Sequence, residues 1–165
     1  MADLVAGMGI NKGSLYNAFG SKKALFTRAL LQYDRDNRQA LLAQLEALDA
    51  PLVALTRLFD SLITESIADT EKKGCLLVNT ALELPNHTDD VREIIGVVID
   101  DFEAFFKRQI KLGQKRGIIP KNVKANDTAK SLLSLLFGLR VLARGDFDAS
   151  GLRAIRRDAL RLISD

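Results

Sequence analysis

Asn11, Lys12, Gly13, Ser14, Tyr16, Asn17 and Lys22 fall within twelve consecutive positions. Ammonium, carboxamide and hydroxyl groups gathered on so short a segment can grip phosphate oxygens and reach the edges of bases. The stretch from Gly9 to Phe26 reads as a tight turn, a very short helix opening on Asn, Lys, Gly and Ser, a second turn, and a further helix start loaded with lysine. A helix-turn-helix presents small polar and cationic groups to DNA in this way. The same residues would also suit a short, merely solvated helix.

Other reactive chemistry is sparse. Cys75 is the single cysteine, and it follows Lys72, Lys73 and Gly74 at the expected start of a helix. Neighbouring cations and a helix start favour thiolate, so Cys75 could act as a chemical trigger. It would equally serve as a small, inert apolar residue. His87, the single histidine, follows Pro85-Asn86 in a loop, where a solvated or capping role is expected. One His and one distant Cys make neither a metal site nor a catalytic triad. No glycine loop for phosphate is evident, and no acid–base pair stands out. No enzyme activity, metal or cofactor is expected.

At 165 residues, with 47% apolar and 27% charged side chains, the chain can bury a substantial core. The net charge of +3 is too small to argue for nucleic acid, so its location must decide. Within residues 1–28, Lys12, Lys22, Lys23 and Arg28 face only Asp3. A second basic cluster, Arg153, Arg156, Arg157 and Arg161, has the spacing of the wet face of an amphipathic helix. The single cysteine fits a reducing compartment. The longest apolar stretch, Leu132 to Ala143, is short for a bilayer and is broken by Ser134, Gly138 and Arg140. No leader is evident. A cytoplasmic protein without membrane contact is expected.

These groups must be positioned by helices, since no stretch alternates over a strand's length. Residues 1–7 read as the stub of a helix, with Leu4, Val5 and Met8 apolar and Gly9 ending it. Asn11 suits an N-cap, Leu15 and Phe19 form an inward stripe, and Gly20 stops the short helix. Ser21 caps a long helix to about Leu48, with Ala24, Leu25, Leu31, Leu41, Leu42 and Leu45 on its apolar side. Pro51 opens another, marked by Leu52, Leu55, Leu58, Phe59, Leu62 and Ile63.

A short helix over Cys75–Leu84 ends at Pro85. Thr88 opens a long segment with Asp89 and Asp90 in its first turn and Val91, Ile95, Val98, Phe102, Phe105 or Phe106, and Ile110 stepping by three or four. Residues 126–144 form a helix that is apolar nearly all round, and 150–163 form an amphipathic one. A helix apolar on all sides suggests either a subunit interface along Leu132–Leu139 or complete burial in one chain.

With these elements placed, the chain resembles the tetracycline-repressor (TetR) family of bacterial regulators. The resemblance rests on Asp3-Leu4-Val5-Ala6, Gly9-Ile10, Lys12-Gly13-Ser14-Leu15-Tyr16, Phe19 and Ser21-Lys22-Lys23-Ala24-Leu25. It covers roughly the first 30 residues and is architectural beyond them. It implies an all-α fold: a helix-turn-helix over 1–28, incomplete because the family's first helix would lie ahead of Met1, then an effector-binding and dimerisation bundle over 29–165.

The implied DNA-binding residues are Lys12, Gly13, Ser14, Tyr16, Asn17 and Lys22. Lys12 and Asn17 are the better base readers, and Lys22 would hold a phosphate at a helix start. The implied effector cavity draws on Phe59, Ile63, Cys75, Leu77, Asn79, Leu82, Glu83, Val98, Phe102, Phe106, Phe137 and Arg140, many of which could simply be core. The implied dimer contact draws on Leu132, Leu135, Leu136, Leu139, Leu152, Ile155, Ala159 and Ile163.

The resemblance thus implies a homodimeric regulator of operator DNA, expected to be a repressor released by a small-molecule or electrophilic effector. The alternative is a ligand-binding or dimerisation protein on the same fold that does not bind DNA, because the first helix of the reading domain is missing.

Overall fold

The computed structural model describes Gly7, Gly9, residues 11–145 with only the backbone of Lys12, and residues 147–164. The expected helix stub with Leu4, Val5 and Met8, and the side chains of Ile10 and Lys12, lie outside the described residues. Among those described, all regular structure is helical: α1 Lys12–Phe19, α2 Lys22–Asp34, α3 Ala40–Ala47, α4 Pro51–Ala68, α5 Leu76–Leu82, α6 Asp89–Lys115, α7 Ala125–Leu142 and α8 Ala149–Arg161.

The helix starts follow local chemistry. The Asn11 side chain accepts a hydrogen bond from the Ser14 amide at 2.8 Å, and Ser21 Oγ accepts one from the Ala24 amide at 3.1 Å. Gly20, at φ 78°, makes the left-handed step between the first two helices that a side chain would resist. Pro51 occupies the first turn of α4, where its missing N–H costs nothing.

The long helix expected from Ser21 to about Leu48 is continuous, but a π-helical turn over Arg35–Gln39 divides it into α2 and α3. The wider turn changes the phase of the inward face on either side. Leu30, Leu42 and Leu45 are buried, Leu25 and Leu41 half-buried, and Leu31 is exposed, against expectation. Asp34 and Arg38 take the inward positions instead.

α6 packs along α7, while α4 lies against α6 and α8. The centre is aromatic: Phe59, Phe105 and Phe106 are fully buried. Phe106 stacks on Phe59 at 6.3 Å and meets Phe105 edge-on at 5.8 Å. No helix among the described residues is long and apolar enough to cross a membrane.

The residues expected at a subunit contact fall differently. Leu132, Leu136, Leu139, Leu152, Ala159 and Ile163 are all buried inside the chain itself, and Leu135 and Ile155 are half-buried. α7, expected to be apolar nearly all round, buries one side, as does the amphipathic α8, and in both the buried side faces the chain's own core. The outer edge of α7 instead exposes Ser134, Val141 and Leu142, with open space beside Gly138. On α8 the arginines are exposed or half-buried, and Arg156 forks onto Asp60 at 2.7 and 3.1 Å.

Candidate functional site

Two places concentrate polar groups that the core does not consume. The first is the surface of α1 and the start of α2. Leu15 is fully buried and anchors α1, while Gly13, Ser14, Tyr16 and Asn17 point outward on the same short helix. A Cβ at Gly13 would press to 3.2 Å against the capping oxygen of Asn11, so the small residue protects the cap. Phe19 is half-buried beneath the Arg28 guanidinium, 5.6 Å from its ring centre. Lys22 and Lys23 are exposed on the first turn of α2, where helix amides and ammonium groups can act together on an anion.

α2 is tied to the body close by. Phe26 stacks flat on His87, and Thr27 Oγ1 donates to Asp90 at 2.8 Å. His87 is therefore half-buried between two segments, and its amide donates to the Leu84 carbonyl at 3.1 Å as the C-cap of the short turn Leu84–Asn86, in keeping with the capping role expected. Hydrogen bonds from the Thr88 and Thr27 hydroxyls hold the Asp90 carboxyl below the usual aspartate range.

The second place is a partly open cavity of about 250 Å³ lined by α2, α3 and the π turn on one side and by α4 to α7 on the other. Val98, Phe102 and Phe137 are among its apolar walls, with Tyr33, Cys75, Glu65 and Arg140 as polar groups. It is smaller than the roughly 300–1,000 Å³ usual for drug-sized ligands.

Arg38 also reaches the cavity wall, but its charge is fully matched. It grips buried Asp34 through Nε at 2.5 Å and Nη2 at 2.7 Å, and it reaches Asp101 at 2.7 Å. Gln39 donates a further bond to Asp34 at 2.6 Å. Burial works against the Arg38 charge, yet the two carboxylates more than offset it and leave its pKa above the ordinary value. Tyr33 is pushed up to about 12, first by burial and then by the neighbouring Cys75, so its hydroxyl remains a donor.

Cys75 stands at the N-cap of α5, as the sequence predicts, but the cations expected beside it are engaged elsewhere. Cys75 is half-buried on the cavity wall, with its Sγ 4.0 Å from the Tyr33 hydroxyl. Lys73 pairs with Glu71, and Lys72 Nζ reaches the Ala143 carbonyl at 3.5 Å. Both nearby cations are thus committed to other groups. No group of three or more metal-ligating side chains occurs among the described residues.

The family model for the tetracycline repressor-like C-terminal domain matches residues 51–159. The chain belongs to the TetR family. It is 27% identical over 132 residues to the HTH-type transcriptional repressor DhaR of Mycobacterium sp. (strain GP1). That match takes in 80% of this chain but 65% of the repressor, so the chain spans a little under two thirds of this relative. A TetR-family transcriptional regulator from Agrobacterium tumefaciens superposes with a TM-score of 0.88 at 24% identity, covering 99% of this chain and 86% of that one. A cysteine mutant of the TetR-family regulator CifR, complexed with 26-bp double-strand operator DNA, superposes with a TM-score of 0.81 at 27% identity. That superposition covers 98% of this chain and 84% of that one.

In this TetR-family chain the cavity gathers Cys75, Leu77, Val98, Phe102, Phe137 and Arg140 from the residues named in advance. Phe59 and Phe106 lie in the solid core, and Ile63 is buried outside this cavity. Leu82 and Glu83 are exposed away from it, at the last residue and the C-cap of α5. Asn79 is spent on the Lys73 carbonyl at 2.8 Å and on Arg144 at 2.9 Å. Sequence reasoning missed Tyr33, Arg38 and Glu65 at the cavity. An Asp and an Arg four apart at positions 34 and 38, on one face of a helix otherwise expected to be apolar there, were the available signal.

Proposed function

We propose that this TetR-family chain is a DNA-binding transcriptional regulator, acting as a repressor released when an effector occupies the cavity of the helical body. The observation that carries this reading is the anchoring of α1. Leu15 is wholly buried while Gly13, Ser14, Tyr16 and Asn17 face outward beside the Lys22 helix start. Such a face can enter a major groove while the next helix start meets a phosphate. The operator complex of CifR supports the same assignment by likeness. Lys12 belongs to this set by position.

Two copies would be needed to read two half-sites one helical turn apart. We assign the contact to the outer edges of α7 and α8, where Ser134, Gly138, Val141, Leu142 and Leu162 remain uncovered. Small residues there permit close approach of two helices.

Binding to the DNA flanking the chain's own gene, measured against rising salt, tests the reading. Specific binding should weaken steeply with salt, and Lys22→Ala should reduce the logarithmic salt slope by about 1 per half-site. A folded chain with no salt-sensitive preference for that DNA would leave a ligand-binding protein as the better account, since the cavity does not depend on DNA.

A further inference from the structure

Arg140 differs from every other cation in the cavity. It is only 7% exposed, yet its polar contacts all run through one nitrogen. Nη1 donates to Ser66 Oγ at 3.0 Å and to the Leu62 carbonyl at 3.3 Å, and lies 3.5 Å from the Glu65 carboxylate. That carboxylate is itself more than half exposed. Nε is buried with no acceptor at all. A buried guanidinium ordinarily has its charge paired and its N–H groups bonded. Arg38, one wall away, shows what that looks like in the same protein.

The unused side of Arg140 has a definite shape. Nε and Nη2 form the fork that takes a carboxylate through two parallel hydrogen bonds. Tyr33 shares the cavity; its hydroxyl donates only to the Cys75 sulfur, at the weak distance of 4.0 Å, and its oxygen also meets the Leu76 backbone amide. The Arg140 charge is felt at that hydroxyl. The rest of the wall is largely hydrocarbon, from Leu62, Leu77, Val98, Phe102, Leu136 and Phe137. Asp36 and Glu65 also border the cavity, and both are exposed, so water screens their repulsion of an anion at depth.

We infer that the effector of this chain is a small amphipathic monoanion, one carboxylate on a compact apolar body, with Arg140 as its specificity-determining residue and Tyr33 as a second donor. The carboxylate supplies the acceptor that Nε lacks, and the apolar body fills the hydrocarbon wall. A neutral molecule of the same shape can offer one uncharged acceptor, but it leaves the guanidinium charge unmatched and half of the fork unused. This inference rests on the reading of the cavity as the effector site and adds the chemical class to it.

Calorimetric titration of the chain with octanoate and benzoate, against octan-1-ol and benzamide, tests the class without any DNA. At least one carboxylate should bind about tenfold or more tightly than its neutral counterpart. Arg140→Lys keeps the charge but loses the fork, and should remove most of that preference. Tyr33→Phe should remove part of it. Should Arg140→Lys fold poorly, the comparison of acid with neutral ligand on the unaltered chain still decides. Equal or tighter binding of the neutral ligands, or no binding of either class, overturns the inference. Carboxylate binding that leaves operator affinity unchanged upholds the chemical class and counts against ligand-driven release, so the two readings fail separately.

Discussion

The ring of Phe26 lies flat against that of His87, with centroids 5.2 Å apart and planes 11° from parallel. One turn before Phe26, α2 carries Lys22 and Lys23; just after His87, α6 begins and runs on to Val98 and Phe102 in the cavity wall. The stack and the neighbouring Thr27–Asp90 hydrogen bond therefore join the lysine-bearing end of α2 to the rod that lines the cavity.

His87→Ala should cost about 0.5–1.5 kcal/mol of stability, the usual worth of an aromatic pair. Its larger effect is expected on coupling. A ligand shifts the DNA-binding conformation only as far as the two regions move together. The ratio of operator affinities without and with effector should shrink in His87→Ala and further in the double variant with Thr27→Val. An unchanged ratio in both variants would show that the signal travels by another route.

Arg38 is the partner that makes Asp34 tolerable at 3% exposure. Arg38→Met leaves that carboxylate with only the Gln39 amide, and should destabilise the fold by about 3–5 kcal/mol. Replacing both members with apolar residues of similar volume should recover much of the loss. Asp101, whose side chain is half exposed, is expected to matter far less on its own. Urea denaturation of the three variants measures these differences, and equal losses for Arg38→Met and Asp101→Asn would contradict the account.

Gly113 sits in the last turns of α6 directly under Ile119. A Cβ there would stand 2.6 Å from both Ile119 Cγ1 and Cδ1. The carbonyl of Gly113 also accepts from the amides of Ile118 and Ile119 at 2.9 and 3.2 Å, which holds the chain tightly over it. Gly113→Ala should lose about 1–3 kcal/mol through overpacking, more than the roughly 1 kcal/mol that alanine gains in helix propensity. Shortening the neighbour in Gly113→Ala/Ile119→Val should return part of it. Thermal unfolding that ranks the single variant above the parent chain would refute the steric reading.

Tyr33 provides a pH signature. Its folded value is pushed up to about 12 from the ordinary 10.0, with burial as the main cause. The unfolded chain releases this proton first, so the contribution is complete below pH 10 and is lost as pH rises towards the folded value. Stability should fall with pH over that alkaline window, and Tyr33→Phe should flatten this part of the curve. In a phenolate absorbance titration the same substitution should remove a late component. A curve unaltered by the substitution would mean that the hydroxyl is not shielded as described.

The sequence alone determined those features whose causes are local. Asn11 and Ser21 cap helices because their side chains reach amides three residues on, and Pro51 and Gly20 mark a start and a stop through their own backbones. The helical and apolar character of residues 126–144 was equally visible, since neither needs a neighbour to define it.

What faced that surface was decided by tertiary packing. Leu132, Leu136 and Leu139 turn towards the chain's own core, and no periodicity distinguishes that from a partner's helix. The inward Arg38 meets Asp101, 63 positions away. Arg140 meets Ser66 from a distance of 74 positions. A side chain's periodicity can be read one residue at a time, but the acceptor missing from Arg140 Nε is a property of every group packed around it, and only the folded chain brings those groups together.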